Sequence, residues 1–549
     1  MDYSFILPMI GGLGLFLYGM KLMSDGLENA AGERLRNILE FFTNNRFTGM
    51  LVGIFFTAII QSSSASTVMV VSFVNAGLMN LSQAAGVILG ANIGTTVTSQ
   101  LVAFNLSKVA PLFLIIGVVM VMFIDSPNVK KIGEVVLGFG VLFTGLTTMS
   151  STMEALKDSP MIMNTLSNLD NHFIAVFIGF IITAILQSSS VTVSIVLLMA
   201  SQGLLALPIC FFIILGCNMG SCVSALIASL SGRKNAKRAA MIHFLFNVFG
   251  SIILFIVLSL ALKPITNFFL QISNHNIGRS VANAHTAFKI IEALIMFPFM
   301  NYIVKLAKAI ISGDDKTSED DILLYIGEKS MITPASAIPQ VRRELIHSAN
   351  LVWDNLNKSF SAFIHNDLSQ VDDIYKKEES INEISHSITD FLVHTNQLDL
   401  PISDRGQLGC LFHAVSDVER IGDHAVNFTE LACSKVKHKS ELSPAAKKQI
   451  INMYESVEQV LILALKIFHD RSEKNIPKLL ELEEHVDDLE RKYQKSHIKR
   501  MSKGDCEPRA GLLFSDMLSA LERISDHGVN IALSITDKYD EEDFELEDE

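Results

Sequence analysis

The stretch "QSSSAST" (Gln61–Thr67) lies in a run without Asp, Glu, Lys or Arg from Phe47 to Ser107. A second stretch, "QSSSVTVS" (Gln187–Ser194), lies in a second uncharged run from Asn171 to Gly232. A lone serine in an apolar helix usually bonds the carbonyl four residues before it and does little else. A glutamine and three serines, twice, need another account.

The two stretches are 126 residues apart, and the offset extends outward from them. "GLFLYGMKLMSDGLEN" from Gly14 faces "GVLFTGLTTMSSTMEA" from Gly140, and "GANIGT" from Gly90 faces "GCNMGS" from Gly216. No gap is needed over about 80 residues, so the first half is a tandem duplication. Repeats are expected over about 5–124 and 131–262.

Charge divides the chain. Residues 1–312 carry 17 Lys/Arg and 11 Asp/Glu; residues 313–549 carry 27 and 46. Apolar stretches of roughly 20 residues recur in the first part, enough to cross about 30 Å of hydrocarbon. The expected fold is all-α: a polytopic membrane domain over 1–312, a linker over 313–339, a helical domain over 340–540 and an acidic tail over 541–549. The stretch from Phe5 lacks a basic leader and a cleavage site, and reads as a retained first helix. The acidic second part argues against nucleic acid as a partner, and membrane lipid surrounds the first. No Walker-type loop or nucleophile–base set points to an enzyme. The six cysteines contain no C-x-x-C pair and read as reduced thiols.

Membrane helices are expected over 5–24, 82–103, 108–124, 133–150, 205–229, 240–262 and 283–304. Segments 47–77 and 172–202 break at their QSSS stretches and read as re-entrant helical hairpins, the alternative being that each crosses fully. Three crossings then separate Gly14 from Gly140, which inverts the second copy. The basic residues agree. Arg34, Arg36, Arg46, Lys130, Lys131 and "RKNAKR" (233–238) fall on one side, with only Lys108, Lys157, Lys263 and Arg279 on the other. That predicts the N-terminus outside and the C-terminal half in the cytoplasm. Inverted repeats with broken helices mark secondary transporters. Free N–H groups and the positive dipole end of a half-helix suit an anion. Hydroxyl and carbonyl oxygens suit a hard cation such as sodium.

Together the doubled QSSS, "GANIGTT", "GCNMGSC", "RAAMIHFLFN" (Arg238–Asn247) and "VANAHTAFK" (Val281–Lys289) resemble the type II sodium-phosphate cotransporter family, over about residues 5–305. The resemblance implies a plasma-membrane, sodium-dependent phosphate symporter that works by alternating access, with Na⁺ as the coupling ion. It assigns Gln61, Ser62, Ser63, Ser64, Gln187, Ser188, Ser189 and Ser190 to phosphate, with Asn92 and Asn218 as second choices. It assigns Ser66, Thr67, Thr95, Thr192, Ser194 and Ser221 to sodium. It also implies a homodimer. Phosphate export, or phosphate sensing without transport, are the alternatives. The family commonly has Asn where Lys289 stands. Lys289 with Glu292 is an i,i+3 pair that could be an interior ion pair or a rim pair; the rim is the favoured reading. His243 and His285 read as hydrogen-bonders that pack helices.

In the second half "ERIGDHAVN" (Glu419–Asn427) faces "ERISDHGVN" (Glu522–Asn530), 103 residues on, seven of nine identical. A pair of three-helix bundles is expected, near 342–437 and 444–538. Glu419 with Asp423, and Glu522 with Asp526, share a helix face. Such pairs could hold hard or borderline metal ions, or simply pair with nearby Arg. This half is similar to PhoU-like phosphate-regulatory domains. That implies a divalent or iron-type metal, control of the attached transporter, and cytoplasmic phosphate-signalling proteins as partners. The fusion of the two halves suggests a bacterium and its inner membrane.

Overall fold

A computed structural model describes residues 6–42, 45–104, 106–156, 171–230, 232–313, 323–326, 334–397 and 402–535. The tail 541–549 and most of the expected linker lie outside the described residues. Among the described residues the chain is helical, with no strand. It divides into two compact units, 1–316 and 317–549.

The first unit opens with α1 (Ile6–Phe42), α2 (Arg46–Ile60), α3 (Ser63–Asn75), α4 (Leu81–Gly94), α5 (Thr96–Ala103), α6 (Ala110–Met122) and α7 (Pro127–Leu156). It continues with α8 (His172–Leu186), α9 (Ser189–Ser201), α10 (Leu207–Gly220), α11 (Cys222–Ala228), α12 (Lys234–Ile272), α13 (Ile277–Met296) and α14 (Met300–Ile310). Among the described residues, five stretches have the length and apolarity to cross a membrane, and a sixth does so if α13 and α14 count as one bent span. The helix expected over 283–304 is instead broken, with α14 turned 80° from α13. The expected 240–262 helix runs from Lys234 to Ile272 and kinks at Ala261 (φ −130°, ψ 33°). Pro264 follows three residues later; it lacks an N–H and its ring clashes with the carbonyl of the preceding turn.

Close glycine contacts reveal the topology. Gly12 packs against Gly145, and Gly19 against Gly138. A Cβ on Gly19 would lie 2.3 Å from the Leu142 amide nitrogen, so the backbones of α1 and α7 touch. The order of the pairs makes the helices antiparallel. Under the offset of 126, Gly12 corresponds to Gly138 and Gly19 to Gly145. The two contacts are therefore mates of one pseudo-two-fold axis perpendicular to both helices. For membrane-crossing helices that axis lies in the membrane plane, and the copies are inverted.

In the first hairpin Gly86 lies against Arg46, Gly90 against Met50 and Gly94 against Ile54, so α2 and α4 run parallel. The chain therefore rises along α2, returns along α3 and starts α4 at the level where α2 began. Arg46 Nη2 donates to Ser82 Oγ at 3.1 Å, joining those two starting ends. The second copy repeats this at the same spacing of 40 residues. His172 stacks on Phe212 (centroids 3.9 Å apart), Gly216 lies against Val176 and Gly220 against Phe180. Neither hairpin helix reaches the roughly 20 residues a crossing needs, so each pair is re-entrant.

The returning helices α3 and α9 are almost wholly buried. The outgoing helices are buried on one face only. They expose Phe47, Leu51 and Phe55 in α2, and at the equivalent positions Phe173, Phe177 and Ile181 in α8. Spacing by four puts each trio on one stripe, which meets lipid.

The second unit holds α15 (Pro334–His365), α16 (Val371–Asn396), α17 (Ile402–His438), α18 (Pro444–Asp470), α19 (Ile476–Ser502) and α20 (Pro508–Leu533). The helix α15 begins at Pro334, inside the expected linker; proline is favoured in a first helical turn, where its missing N–H has no partner to lose. Ahead of it, Glu344 accepts hydrogen bonds from the Leu324, Tyr325 and Ile326 amides at 3.0, 2.5 and 2.8 Å. That ties residues 324–326 of the linker to α15. The two three-helix bundles share one apolar core, and Phe360 stacks on Tyr454 (3.7 Å between centroids) across them.

Candidate functional site

Each hairpin tip is a two-residue break. Gln61 (φ 61°, ψ 14°) and Gln187 (φ 54°, ψ 22°) end their helices in the left-handed region. This is costly for a residue with a side chain and persists only where the surroundings hold it. Ser62 then caps α3 by accepting from the Ala65 amide (3.2 Å), and Ser188 caps α9 by accepting from Val191 (3.4 Å). A cap satisfies only one of the four free N–H groups at a helix start. Those of Ser63 and Ser64, and of Ser189 and Ser190, remain directed out of the two helix ends.

The tips meet. Ser64 Oγ donates to the Gln187 carbonyl at 2.9 Å. Thr95 Oγ1 lies 3.2 Å from Ser63 Oγ and 3.1 Å from Ser190 Oγ, linking both hairpins through the break between α4 and α5. Ser224 Oγ donates to Ser64 Oγ at 3.2 Å. Hydroxyls and helix N-termini from both repeats thus converge on one place.

The halves are not identical there. Gln61 is buried, and its Oε1 accepts from Thr98 Oγ1 at 2.9 Å. Gln187 is exposed. Ser224, the repeat equivalent of Thr98, reaches across to Ser64 instead.

The residues assigned to sodium surround the tips. Ser66, Thr67, Thr192 and Ser194 donate to the carbonyls of Ser62, Ser63, Ser188 and Ser190 at 2.8, 2.7, 3.2 and 2.7 Å. Ser66 Oγ also accepts from Thr57 Oγ1 at 2.9 Å, and Ser221 donates to the Asn218 carbonyl at 2.8 Å. With the proton spent on a helix carbonyl, each hydroxyl oxygen keeps a lone pair to offer.

Asn92 and Asn218 are not aimed at the tips. Lys289 Nζ donates to Asn92 Oδ1 at 2.7 Å and to Asn247 Oδ1 at 2.6 Å, and lies 3.5 Å from Glu292 Oε2. Asn218 Nδ2 lies 3.5 Å from the same Glu292 oxygen. The pair expected at a rim is in the interior: Lys289 is 2% and Glu292 1% exposed. The reason is the two amide oxygens, whose position i,i+3 spacing cannot reveal. His285 pairs Nδ1 with Ser99 Oγ at 2.6 Å, tying α13 to α5. His243 is buried, but its Nδ1 has no hydrogen-bond partner among the described residues.

In the second unit the motif helices α17 and α20 pack on each other, and His527 Nδ1 lies 2.8 Å from Asp417 Oδ1. The carboxylates of Glu483, Asp487 and Asp526 offer oxygens all within 4.8 Å of one another. That donor set fits a hard or borderline cation. Burial first, then Asp526, pushes the nearby Glu522 carboxyl up to about 7. In the other bundle burial, then Asp423, pushes Glu378 up to about 7, with Glu419 adding to the effect. Burial, then His527 and Arg523, pushes His424 down to about 4. Glu378, Glu483 and Asp487 escaped the sequence reading. Their signal is weak but present: "KEESINEI" (377–384) and "LEEHVDDL" (482–489) pair Glu378 with Glu483 and put Asn382 where Asp487 stands.

Comparison with known proteins agrees with this layout. The family described as Na+/Pi-cotransporter matches residues 15–151 and again 153–281, and the PhoU domain matches 345–432 and 450–535. A relative from Escherichia coli (strain K12) carries the name "Putative inorganic phosphate export protein YjbB"; it is 21% identical over 541 residues, 98% of each chain. "Uncharacterized protein YqeW" from Bacillus subtilis (strain 168) is 31% identical over 299 residues, 54% of this chain and 95% of that one. "Sodium-dependent phosphate transport protein 2A" from Rattus norvegicus is 39% identical over 97 residues, 17% of this chain and 15% of that one. The crystal structure of PhoU from Pseudomonas aeruginosa aligns with 37% of this chain and 97% of its own, at 23% identity and a TM-score of 0.35. Two matches in tandem over a duplicated membrane unit, and a relative covered nearly end to end, have one meaning: the chain belongs to the Na+/Pi-cotransporter family and carries a PhoU domain after its membrane unit.

Proposed function

We propose that the membrane unit moves inorganic phosphate together with Na⁺ through alternating access at the paired tips. The observation that carries this reading is the meeting of the two tips through Ser64, Gln187, Thr95, Ser63 and Ser190. Four outward N–H groups, two positive helix ends and the hydroxyls offer an oxyanion the donors it needs. No Lys or Arg lies in either hairpin tip, so the anion's charge is balanced by co-bound cations. The oxygens of Ser66, Thr67, Thr95, Thr192, Ser194 and Ser221 are their ligands.

The unequal halves support alternation. Exchanging the roles of the repeats gives a second state, in which Ser224 holds Gln187 and Thr98 reaches Ser190. That state opens to the other side. The hairpin tips are packed against each other, so Ser63→Ala with Ser189→Ala should abolish phosphate flux while leaving a folded, monodisperse protein. Undiminished flux in that double variant would remove the reading.

Uptake of an anion against a negative-inside potential costs about 2.3 kcal/mol per charge per 100 mV, which entering Na⁺ offsets. Export is the second reading, favoured by the name of the Escherichia coli relative. Vesicles loaded with phosphate and given Na⁺ on one side or the other separate the two. The PhoU domain, with metal at Glu483, Asp487, Glu522 and Asp526 and at Glu378, Glu419 and Asp423, regulates that flux from the cytoplasm of a bacterium. Its membrane is the inner one, with the N-terminus outside, and the protein works as a homodimer with access to phosphate-signalling proteins.

A further inference from the structure

The buried Lys289 lies in a cradle that is built, not incidental. Asn92 donates its Nδ2 protons to the Ile88 carbonyl at 2.9 Å, and Asn247 donates its own to the His243 carbonyl at 3.0 Å. Each amide group is thereby pinned to its own helix one turn back, and each Oδ1 is aimed away from it. Both oxygens converge on the ammonium, with Glu292 Oε2 on the third side. Two neighbouring oxygens, Glu292 Oε1 and Asn218 Oδ1, are buried and accept no hydrogen bond from the described residues. A shell of carbonyl and carboxylate oxygens around one positive charge is what a hard monovalent metal ion also takes. Asn92 and Asn218 are repeat equivalents, yet one meets the ammonium and the other the carboxylate. A pair on α13, which has no counterpart in the repeat, makes a symmetric position asymmetric.

We propose that the oxygens of Asn92, Asn247 and Glu292 form a monovalent-cation site that this chain fills with its own Lys289 ammonium, a tethered cation in place of a mobile one. Intramembrane ionisable groups are costly and survive only when paired or functional; here the cation is tethered to the chain. On the transport reading above, one consequence follows: coupling uses one fewer Na⁺ than it would with a neutral residue at 289.

Lys289→Ala empties the tether and leaves Glu292 uncompensated. The test is equilibrium binding of labelled Na⁺ to the purified full chain in detergent, with thermal unfolding followed in NaCl and in choline chloride. Wild type is compared with Lys289→Ala and with Lys289→Met/Glu292→Gln, which removes both charges and keeps the volume. The expected result is one additional Na⁺ per chain in Lys289→Ala. Its unfolding midpoint should rise in Na⁺ over choline by more than wild type's. The double variant should gain neither. Asn247→Leu added to Lys289→Ala should abolish the gain. If Lys289→Ala binds no more Na⁺ than wild type, the proposal is wrong. The same holds if it unfolds alike in both salts while the double variant stays folded. Absence of phosphate flux in wild type would overturn the transport reading and leave this binding result untouched.

Discussion

Glu378 illustrates what one residue can report. Burial first and Asp423 second raise its carboxyl from 4.5 to about 7. The folded state therefore favours the protonated form. Its contribution to stability is complete below about 4.5 and is lost as pH rises through about 7. The shift corresponds to about 3 kcal/mol at most. With a chelator present, the PhoU domain's thermal transition in the full chain should fall between about pH 5 and pH 8. Glu378→Gln should flatten that fall, and an unchanged pH profile in the variant would contradict the assignment. The same residue shows where the sequence stops being legible. Glu419 and Asp423 stand out because their motif is copied nearly intact. Glu378 and Glu483 lie on different helices, and only the bundle brings them to the motif face. Lys289 is the parallel case in the membrane unit. Its i,i+3 spacing from Glu292 is plain in the chain, but its burial depends on two asparagines 42 and 197 residues away.

Elements were read more fully than contacts. A helix break needs only a local cause, and Gln61 and Gln187 carry theirs in the QSSS that follows. The offset of 126 then predicts the second hairpin from the first. The 80° turn after α13 and the kink in α12 have local causes, Pro298 in the 297–299 break and Pro264 three residues after Ala261; what local sequence could not supply was the extension of α12 past that proline to Ile272. The α1–α7 contact offers a direct test at this scale. Gly19→Leu forces a side chain into the backbone of Leu142, and overpacking of this kind typically costs about 1–3 kcal/mol. The purified variant should unfold at a lower temperature. The exposed Gly11 has nothing within 4 Å of its Cβ position, and Gly11→Leu should leave the midpoint within error. Equal midpoints for the two would contradict the antiparallel packing. On α19 and α20, Asp526→Asn should lose one bound Mn²⁺ or Fe²⁺ per chain by metal analysis. Retention of the full metal content would exclude Asp526 as a ligand.

At the scale of the molecule, two duplications are joined in one chain, each bringing a copied motif to an internal interface. In the membrane unit the copies are inverted, and their QSSS tips meet. In the PhoU domain the copies are two bundles with a common core, and their E-R-I-x-D-H helices meet. The central claim is that the first interface moves phosphate and that Na⁺ drives it. It is tested most directly with labelled phosphate and proteoliposomes of the purified full chain, with Na⁺ equal on both sides or imposed as a gradient. The account predicts phosphate accumulation above the equilibrium level in the direction of the Na⁺ gradient, and none when choline replaces Na⁺. Phosphate movement indifferent to Na⁺, or none under any gradient, would contradict it.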